Sequence, residues 1–213
     1  MERRIALAKA VIFLACLLPA GYYALGMAQD SLGANPIEAL TRGLGDWALR
    51  LLLVTLTITP LRRLTGQGWL VRLRRMLGLF AFFYACLHFL SYLWLDQFFD
   101  WVAIGQDIVK RPFITVGMAT FVLLVPLAIT SSNVAIRRLG GRRWQSLHRL
   151  IYPLSMLAVL HFTWMVKVDI REPMIYGIIL AVLLGMRLWW YVMDARRPLL
   201  EQRRRIIPIQ TRR

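Results

Sequence analysis

Acidic residues, cysteine and histidine are all scarce in this chain of 213 residues, which has 11 Asp and Glu, two Cys and three His. Cys16 and Cys86 both lie inside apolar runs, which argues against a disulfide framework. Neither has a second cysteine three positions away, so no CxxC element is present. Long polar segments are missing too, and no loop is large enough to fold as a domain of its own. The acid shortage stands against 27 Lys and Arg, for a net charge of +16. In a soluble protein that charge would point to nucleic acid, but no basic block is attached to a soluble module here. The arginines instead flank apolar runs, as they do at the cytoplasmic ends of membrane spans. We expect no nucleic-acid partner.

What is abundant is apolar sequence. Hydrophobic residues make up 58% of the chain and the mean hydropathy is +0.55. Several runs approach the roughly 20 apolar residues needed to cross a bilayer as a helix. The fold class expected is an all-α membrane protein, a six-helix transmembrane bundle forming a single domain over residues 1–213. The spans are expected at about 5–27, 47–61, 76–95, 113–130, 147–166 and 174–193, with the second helix beginning as early as Ala39. The basic start and apolar run of MERRIALAKAVIFLACLLPAGYYALGM also resemble a signal peptide. The apolar part is long and a cleavage signal is weak, so an uncleaved first helix is expected. One set of span ends carries Arg3 and Arg4, then Arg62, Arg63, Arg72, Arg74 and Arg75, then Arg137, Arg138, Arg142 and Arg143. The tail adds Arg196, Arg197, Arg203, Arg204, Arg205, Arg212 and Arg213. The opposite ends are of mixed charge, with Asp30, Glu38 and Arg42, then Asp96, Asp107 and Arg111, then Lys167 and Asp169. The positive-inside rule therefore puts both termini in the cytoplasm. No internal sequence repeat is visible.

An ionisable side chain inside a span is a functional candidate because burying it in lipid costs energy. His88 lies twelve residues into the third span and His161 fourteen into the fifth, or ~18 Å and ~21 Å along outward-running helices. Both fall at one depth in the outer half of the bilayer. Two neutral imidazoles at one level on facing helices can ligate a metal through one nitrogen each. Zinc competes poorly, since a structural site wants four N or S ligands and no such cluster accompanies them. A b-type haem suits the pair better, being flat, apolar and in need of axial side chains above and below its iron. A CxxCH pattern for covalent haem attachment is absent. His148 lies at the cytoplasmic mouth, ~20 Å along the helix from His161. It is a candidate ligand of a second haem, a part of an inner cofactor or quinone site, or an interfacial histidine. The position on the third helix that should pair with it holds Arg74 and Arg75.

His88, His161 and the segment GRRWQSLHRLIYPL, which contains His148, together resemble the ferric-reductase-like transmembrane domain. Within that superfamily they resemble the haem-binding membrane subunits of bacterial MsrPQ systems. NPIEALTRGLGDWALRLLLVTLTITPLRR, residues 35–63, is similar to that family's first outer loop and second helix. The resemblance implies one or two b-type haems, an association with FMN, and a multi-pass protein of the bacterial inner membrane. It implies electrons drawn from the quinone pool or a cytoplasmic flavin donor and passed to a periplasmic molybdopterin enzyme of the MsrP type. That partner repairs oxidised envelope proteins by reversing methionine oxidation. The eukaryotic NADPH oxidases and ferric reductases of the superfamily carry four ligand histidines and a C-terminal flavin and nicotinamide domain. Three histidines and a short arginine-rich tail depart from that pattern, so the electron donor is expected to be another molecule. No residue here is assigned to FMN.

Two arginines remain inside the spans. Arg50, near the outer end of the second helix, either meets a haem propionate through charge-assisted hydrogen bonds or snorkels to the outer surface. Arg187, in the inner half of the sixth, is expected to snorkel to the cytoplasmic interface. The reading is of an electron relay rather than the site of methionine sulfoxide reduction. Its rivals are a stand-alone membrane ferric or quinone reductase, and a non-redox transporter or assembly factor whose histidines serve helix packing or proton relay.

Overall fold

The computed structural model describes residues 2–166 and 168–206, with side chains at all of these except Arg4 and 197–206. Lys167, Arg212 and Arg213 of the charge pattern lie outside the described residues, as do the side chains of Arg4, Arg197, Arg203, Arg204 and Arg205. Nine α-helices occur among the described residues, with no strand: α1 (Glu2–Ala28), α2 (Pro36–Thr65), α3 (Val71–Ser91), α4 (Trp101–Lys110), α5 (Pro112–Ile129), α6 (Asn133–Leu139), α7 (Gly141–His148), α8 (Ile151–Met165) and α9 (Arg171–Ile206). A π-helical turn, Tyr92–Asp96, prolongs α3. Five of the helical segments are long and apolar enough to cross a membrane: Ile5–Ala28, Pro36–Thr65, Gly68–Asp96, Pro112–Ile129 and Arg171–Arg196. The outward faces of these helices are apolar, with Leu18, Val122 and Leu188 all strongly exposed. Lipid is the solvent such faces suit.

The second helix starts well before residue 47. Asn35 caps it, its side-chain oxygen accepting the Glu38 N–H at 3.2 Å, and Pro36 occupies the first helical position. Both are helix-start chemistry. Gly66, left-handed at φ 72°, ends the helix and donates its N–H to the Arg62 carbonyl, as such caps do. The stretch expected as a fifth span, 147–166, is not one continuous helix. α7 ends at His148, a turn covers Arg149 and Leu150, and α8 begins at Ile151. Pro153 accounts for the break: it lacks an N–H and its ring crowds the carbonyl of Arg149, four residues earlier. α8, at 15 residues, is therefore about 22 Å long. α4, expected as loop, is a short helix whose N-cap Asp100 accepts the N–H groups of Val102 and Ala103, both at 3.0 Å.

The packing order follows from paired residues. α2 and α3 run antiparallel, with Gly45 against His88 at one end and Gly78 against Thr55 further along. α5 and α8 do the same: Gly117 meets His161 at one end, and Thr130 meets His148 just beyond the other. α9 runs parallel to α2, joined by Arg50–Tyr176, Leu56–Arg187 and Arg63–Asp194. The core lies where α2, α3 and α8 meet, and includes Leu56, Tyr84 and Leu154.

Backbone groups released inside apolar helices must find partners, since no water is there to serve them. Near Pro19 the α1 ladder opens between Ala20 N–H and Cys16 C=O. The fully buried Tyr84 hydroxyl fills the gap, accepting from Ala20 at 3.0 Å and donating to Cys16 at 2.6 Å. Pro60, with no N–H, cannot donate to the Leu56 carbonyl of α2. Arg187 of α9 donates to that carbonyl, and to Leu183 O at 2.9 Å, with its guanidinium 5.7 Å from the Tyr152 ring centre. Arg187 is thus bonded across to α2 instead of reaching for the interface. Tyr84→Phe leaves two backbone groups unpaired and should cost about 1–3 kcal/mol, read as a lower midpoint of thermal unfolding in detergent; an unchanged midpoint would contradict this account. Arg187→Leu should cost a similar amount, about 1–3 kcal/mol, and Arg187→Lys should recover only part of it in the same assay.

Candidate functional site

A cavity opens between α2, α3, α5 and α8, and both His88 and His161 line it. Each imidazole is held by the backbone of a neighbouring helix. His88 Nδ1 lies 2.8 Å from the Thr41 carbonyl oxygen, and His161 Nδ1 lies 2.7 Å from that of Phe113. A carbonyl oxygen only accepts, so Nδ1 carries the proton in both rings and Nε2 keeps its lone pair. This is the arrangement by which ligand histidines are oriented and made more basic.

The ring centroids are 6.2 Å apart, with planes inclined at 69°. A metal–imidazole bond of about 2 Å, with the nitrogen roughly 1.1 Å from the ring centre, sets two rings on opposite sides of one metal roughly 6.3 Å apart. The spacing leaves room for one metal between the two rings. Two nitrogens do not complete a coordination sphere, and among the described residues no group of three or more His, Cys, Asp or Glu is placed to hold a metal. The donor set therefore fits a metal whose remaining ligands lie in a macrocycle, as in haem. The cavity walls fit a flat apolar guest, with Leu49, Leu52, Ala85 and Phe121 among the lining.

The polar part of the cavity lining sets two arginines beside two acids, Asp46 and Asp96. The arginines are Arg42 and Arg111. Their present partners are acids one turn away on the chain, Glu38 at 2.6 Å and Asp107 at 3.2 Å. Thr41 Oγ1 is buried there with no hydrogen-bond partner. A buried hydroxyl without a partner is costly and marks where a ligand's acceptor fits. Sequence reasoning placed Arg42 and Arg111 only in the charge pattern. It did not single out Thr41, nor the glycines Gly45 and Gly117 that face the two imidazoles.

The lining repeats along the chain. Thr41, Gly45 and Leu52 of α2 recur, with the same spacing, as Phe113, Gly117 and Leu124 of α5. Ala85, His88 and Phe89 of α3 recur, again with the same spacing, as Ala158, His161 and Phe162 of α8. The site is two copies of one antiparallel hairpin, each supplying a carbonyl, a glycine and a histidine. Five of these six pairs keep the residue type, but few of the residues between them do, which is why no sequence repeat is visible.

The other two candidates lie elsewhere. Arg50 is not part of the cavity lining; its Nε donates to the Tyr176 hydroxyl at 2.8 Å, and its guanidinium sits 5.3 Å from the Trp47 ring centre. His148 stacks on Trp144 at 4.0 Å, and its Nε2 lies 3.1 Å from Thr130 Oγ1. The interval that separates His88 from His161, counted back from His148, ends at Arg75, which donates to Asn133 at 3.1 Å. The hairpin repeat thus pairs His148 with an arginine and His161 with a histidine.

The family model for the ferric reductase like transmembrane component matches residues 44–159, a stretch holding all four cavity helices in whole or part. The chain belongs to that class of membrane proteins. Curated relatives narrow it further. The chain is 60% identical to the protein-methionine-sulfoxide reductase heme-binding subunit MsrQ of Azospira oryzae over 186 residues, which is 87% of this chain and 80% of the relative. It is 58% identical to that of Herminiimonas arsenicoxydans, with 88% and 87% covered, and 56% identical to that of Rhodospirillum rubrum, with 88% and 90% covered. Within the class, the chain belongs to the MsrQ family.

Proposed function

We propose that this chain is a haem b electron-transfer subunit of the bacterial inner membrane, in which His88 and His161 would hold the iron of one haem. The observation that carries the reading is the imidazole pair: centroids 6.2 Å apart, each Nδ1 on a carbonyl, each Nε2 left with its lone pair. Haem in this position supplies a one-electron carrier. The chain's own residues then have distinct tasks. The two histidines would hold the iron, the apolar walls would keep water away, and Arg42, Arg111 and Thr41 would offer hydrogen bonds to the propionates. Arg50 has its own hydrogen bond to Tyr176 and braces α2 against α9. His148 faces no second histidine, which favours one haem over two and leaves it a role in an inner cofactor or quinone site.

The chain forms one membrane domain that crosses six times with both termini in the cytoplasm. α8 is the sixth crossing. It runs alongside α5 from the His161 end to the His148 end, so it traverses the depth that α5 traverses. The arginine-rich ends Arg62–Arg63, Arg72–Arg75 and Arg137–Arg143 then fall on one side. Asp96, Arg111 and Arg42 of the cavity lining fall on the other.

Electrons enter from the quinone pool or a cytoplasmic flavin donor, with FMN as the flavin the family association suggests. They leave to a periplasmic molybdopterin subunit of the MsrP type that reduces methionine sulfoxide in oxidised proteins. The names of the relatives support this placement, each a heme-binding subunit of a protein-methionine-sulfoxide reductase.

The test is a dithionite-reduced minus air-oxidised spectrum with haem counted per chain. Wild type should show a b-type spectrum with one haem. His88→Ala and His161→Ala should each lose it, and His148→Ala should keep most of it. Folded wild type without haem from haem-replete cells overturns the relay and favours the transporter class. Loss of half the haem in His148→Ala overturns the single-haem assignment. Replacing both Arg42 and Arg111 by Gln should speed haem loss roughly three- to tenfold at low salt, and less at high salt, since the exposed charges are screened. Transfer of haem to apomyoglobin measures this.

A further inference from the structure

We propose that Gly45 and Gly117 are the positioning residues of the two histidines: each is a gap in a helix surface through which one imidazole reaches a backbone carbonyl. The proposal rests on the haem reading for its purpose but not for its geometry.

In an α-helix the carbonyl of residue i accepts the N–H of residue i+4 and keeps a second lone pair. Side chains lean toward the N-terminus, so the one at i+4 covers the turn that carries this carbonyl. A neighbour reaches the free lone pair where that side chain is absent. His88 bonds the Thr41 carbonyl, and residue i+4 is Gly45. His161 bonds the Phe113 carbonyl, and residue i+4 is Gly117. A Cβ placed on Gly45 would lie 3.1 Å from both Cε1 and Nδ1 of His88. One on Gly117 would lie 2.8 Å from His161 Cε1 and 2.9 Å from its Nδ1. The nearest obstacle in both cases is the imidazole itself, on the nitrogen that makes the bond. Adding a methyl group therefore forces the ring to move away from its carbonyl, by a few tenths of an ångström at Gly45 and by more at Gly117. The same relation occurs in both hairpins at bond separations of 47 and 48 residues. Other glycines have other surroundings. Gly43, on the same helix as Gly45, packs against the Tyr23 ring, and Gly21 and Gly185 face open space.

The consequence for a bound haem follows from the bond. A donating Nδ1–H makes the ligand nitrogen more basic and favours ferric iron. Releasing it lowers affinity and raises the reduction potential, by the ligand whose glycine was changed.

The experiment begins with haem-free protein in detergent micelles, using nitrogen-15 spectra of the histidine rings. Wild type should show His88 and His161 as Nδ1–H tautomers. Gly45→Ala should release His88 alone and Gly117→Ala should release His161 alone, while Gly43→Ala and Gly185→Ala release neither. With haem bound, each of the two site-glycine variants should lose haem roughly 10–100-fold more readily and titrate at a higher potential; the two controls should do neither. If Gly117→Ala impairs folding, it is compared in a His161→Ala background: there the alanine should carry no penalty, because the ring it displaces is gone. Unchanged tautomers and potentials in both glycine variants overturn the proposal, as does an equal folding penalty with and without the imidazole. Wild type that binds no haem, yet whose tautomers answer to the two glycines as described, refutes the haem reading and upholds the positioning role.

Discussion

The free lone pair of a helical carbonyl is the interaction on which this structure depends. In an apolar bundle few polar partners are on offer, and the backbone of the neighbouring helix is the nearest. Among the side chains that use it between helices are His88 on Thr41, His161 on Phe113, Arg187 on Leu56 and Tyr84 on Cys16. Each joins two helices and gives a buried polar group its partner. The carbonyls become available by three routes. A glycine uncovers Thr41 and Phe113, a missing proline N–H frees Leu56, and an inserted hydroxyl divides the α1 ladder at Cys16. Fold and site are thus built by one device, and the two cavity histidines join helices as well as lining the cavity.

Much of this was legible in the amino acids. The apolar runs mark five helices capable of crossing and a sixth that is shorter, and the depth argument for His88 and His161 agrees with rings 6.2 Å apart. Depth can be read because it needs only a rise per residue and a known starting end. Rotation about the helix axis is harder, since it depends on which helix becomes the neighbour. Arg50 illustrates the limit: its depth does not tell whether it faces the cavity or Tyr176. Arg187 does too, since its carbonyl partner on α2 exists because of Pro60, in a helix far away along the chain. The break before α8 was closer to the surface of the sequence. Pro153 is visible, and the rule that its ring crowds residue 149 is local.

The hairpin repeat bears on His148 as well as on the pair His88 and His161. Symmetry places Arg75 where a partner for His148 would stand, so one level of the bundle keeps two imidazoles and the other mixes an imidazole with a cation. The His148 level is rich in positive charge, with Arg74, Arg75 and Arg187 on two helices. The level of His88 and His161 balances Arg42 and Arg111 against Glu38 and Asp107. The two ends of the bundle therefore present different electrostatic faces to whatever approaches them.

A guest seated between two copies of one hairpin meets nearly the same wall on either side. A flat molecule without that two-fold axis then has two ways to lie, related by turning it over. The framework alone barely distinguishes them. The choice falls to places where the copies differ: Arg42 stands opposite Ile114, and Thr41 opposite Phe113. Handedness at the centre of the bundle is thus set by the residues that break the repeat.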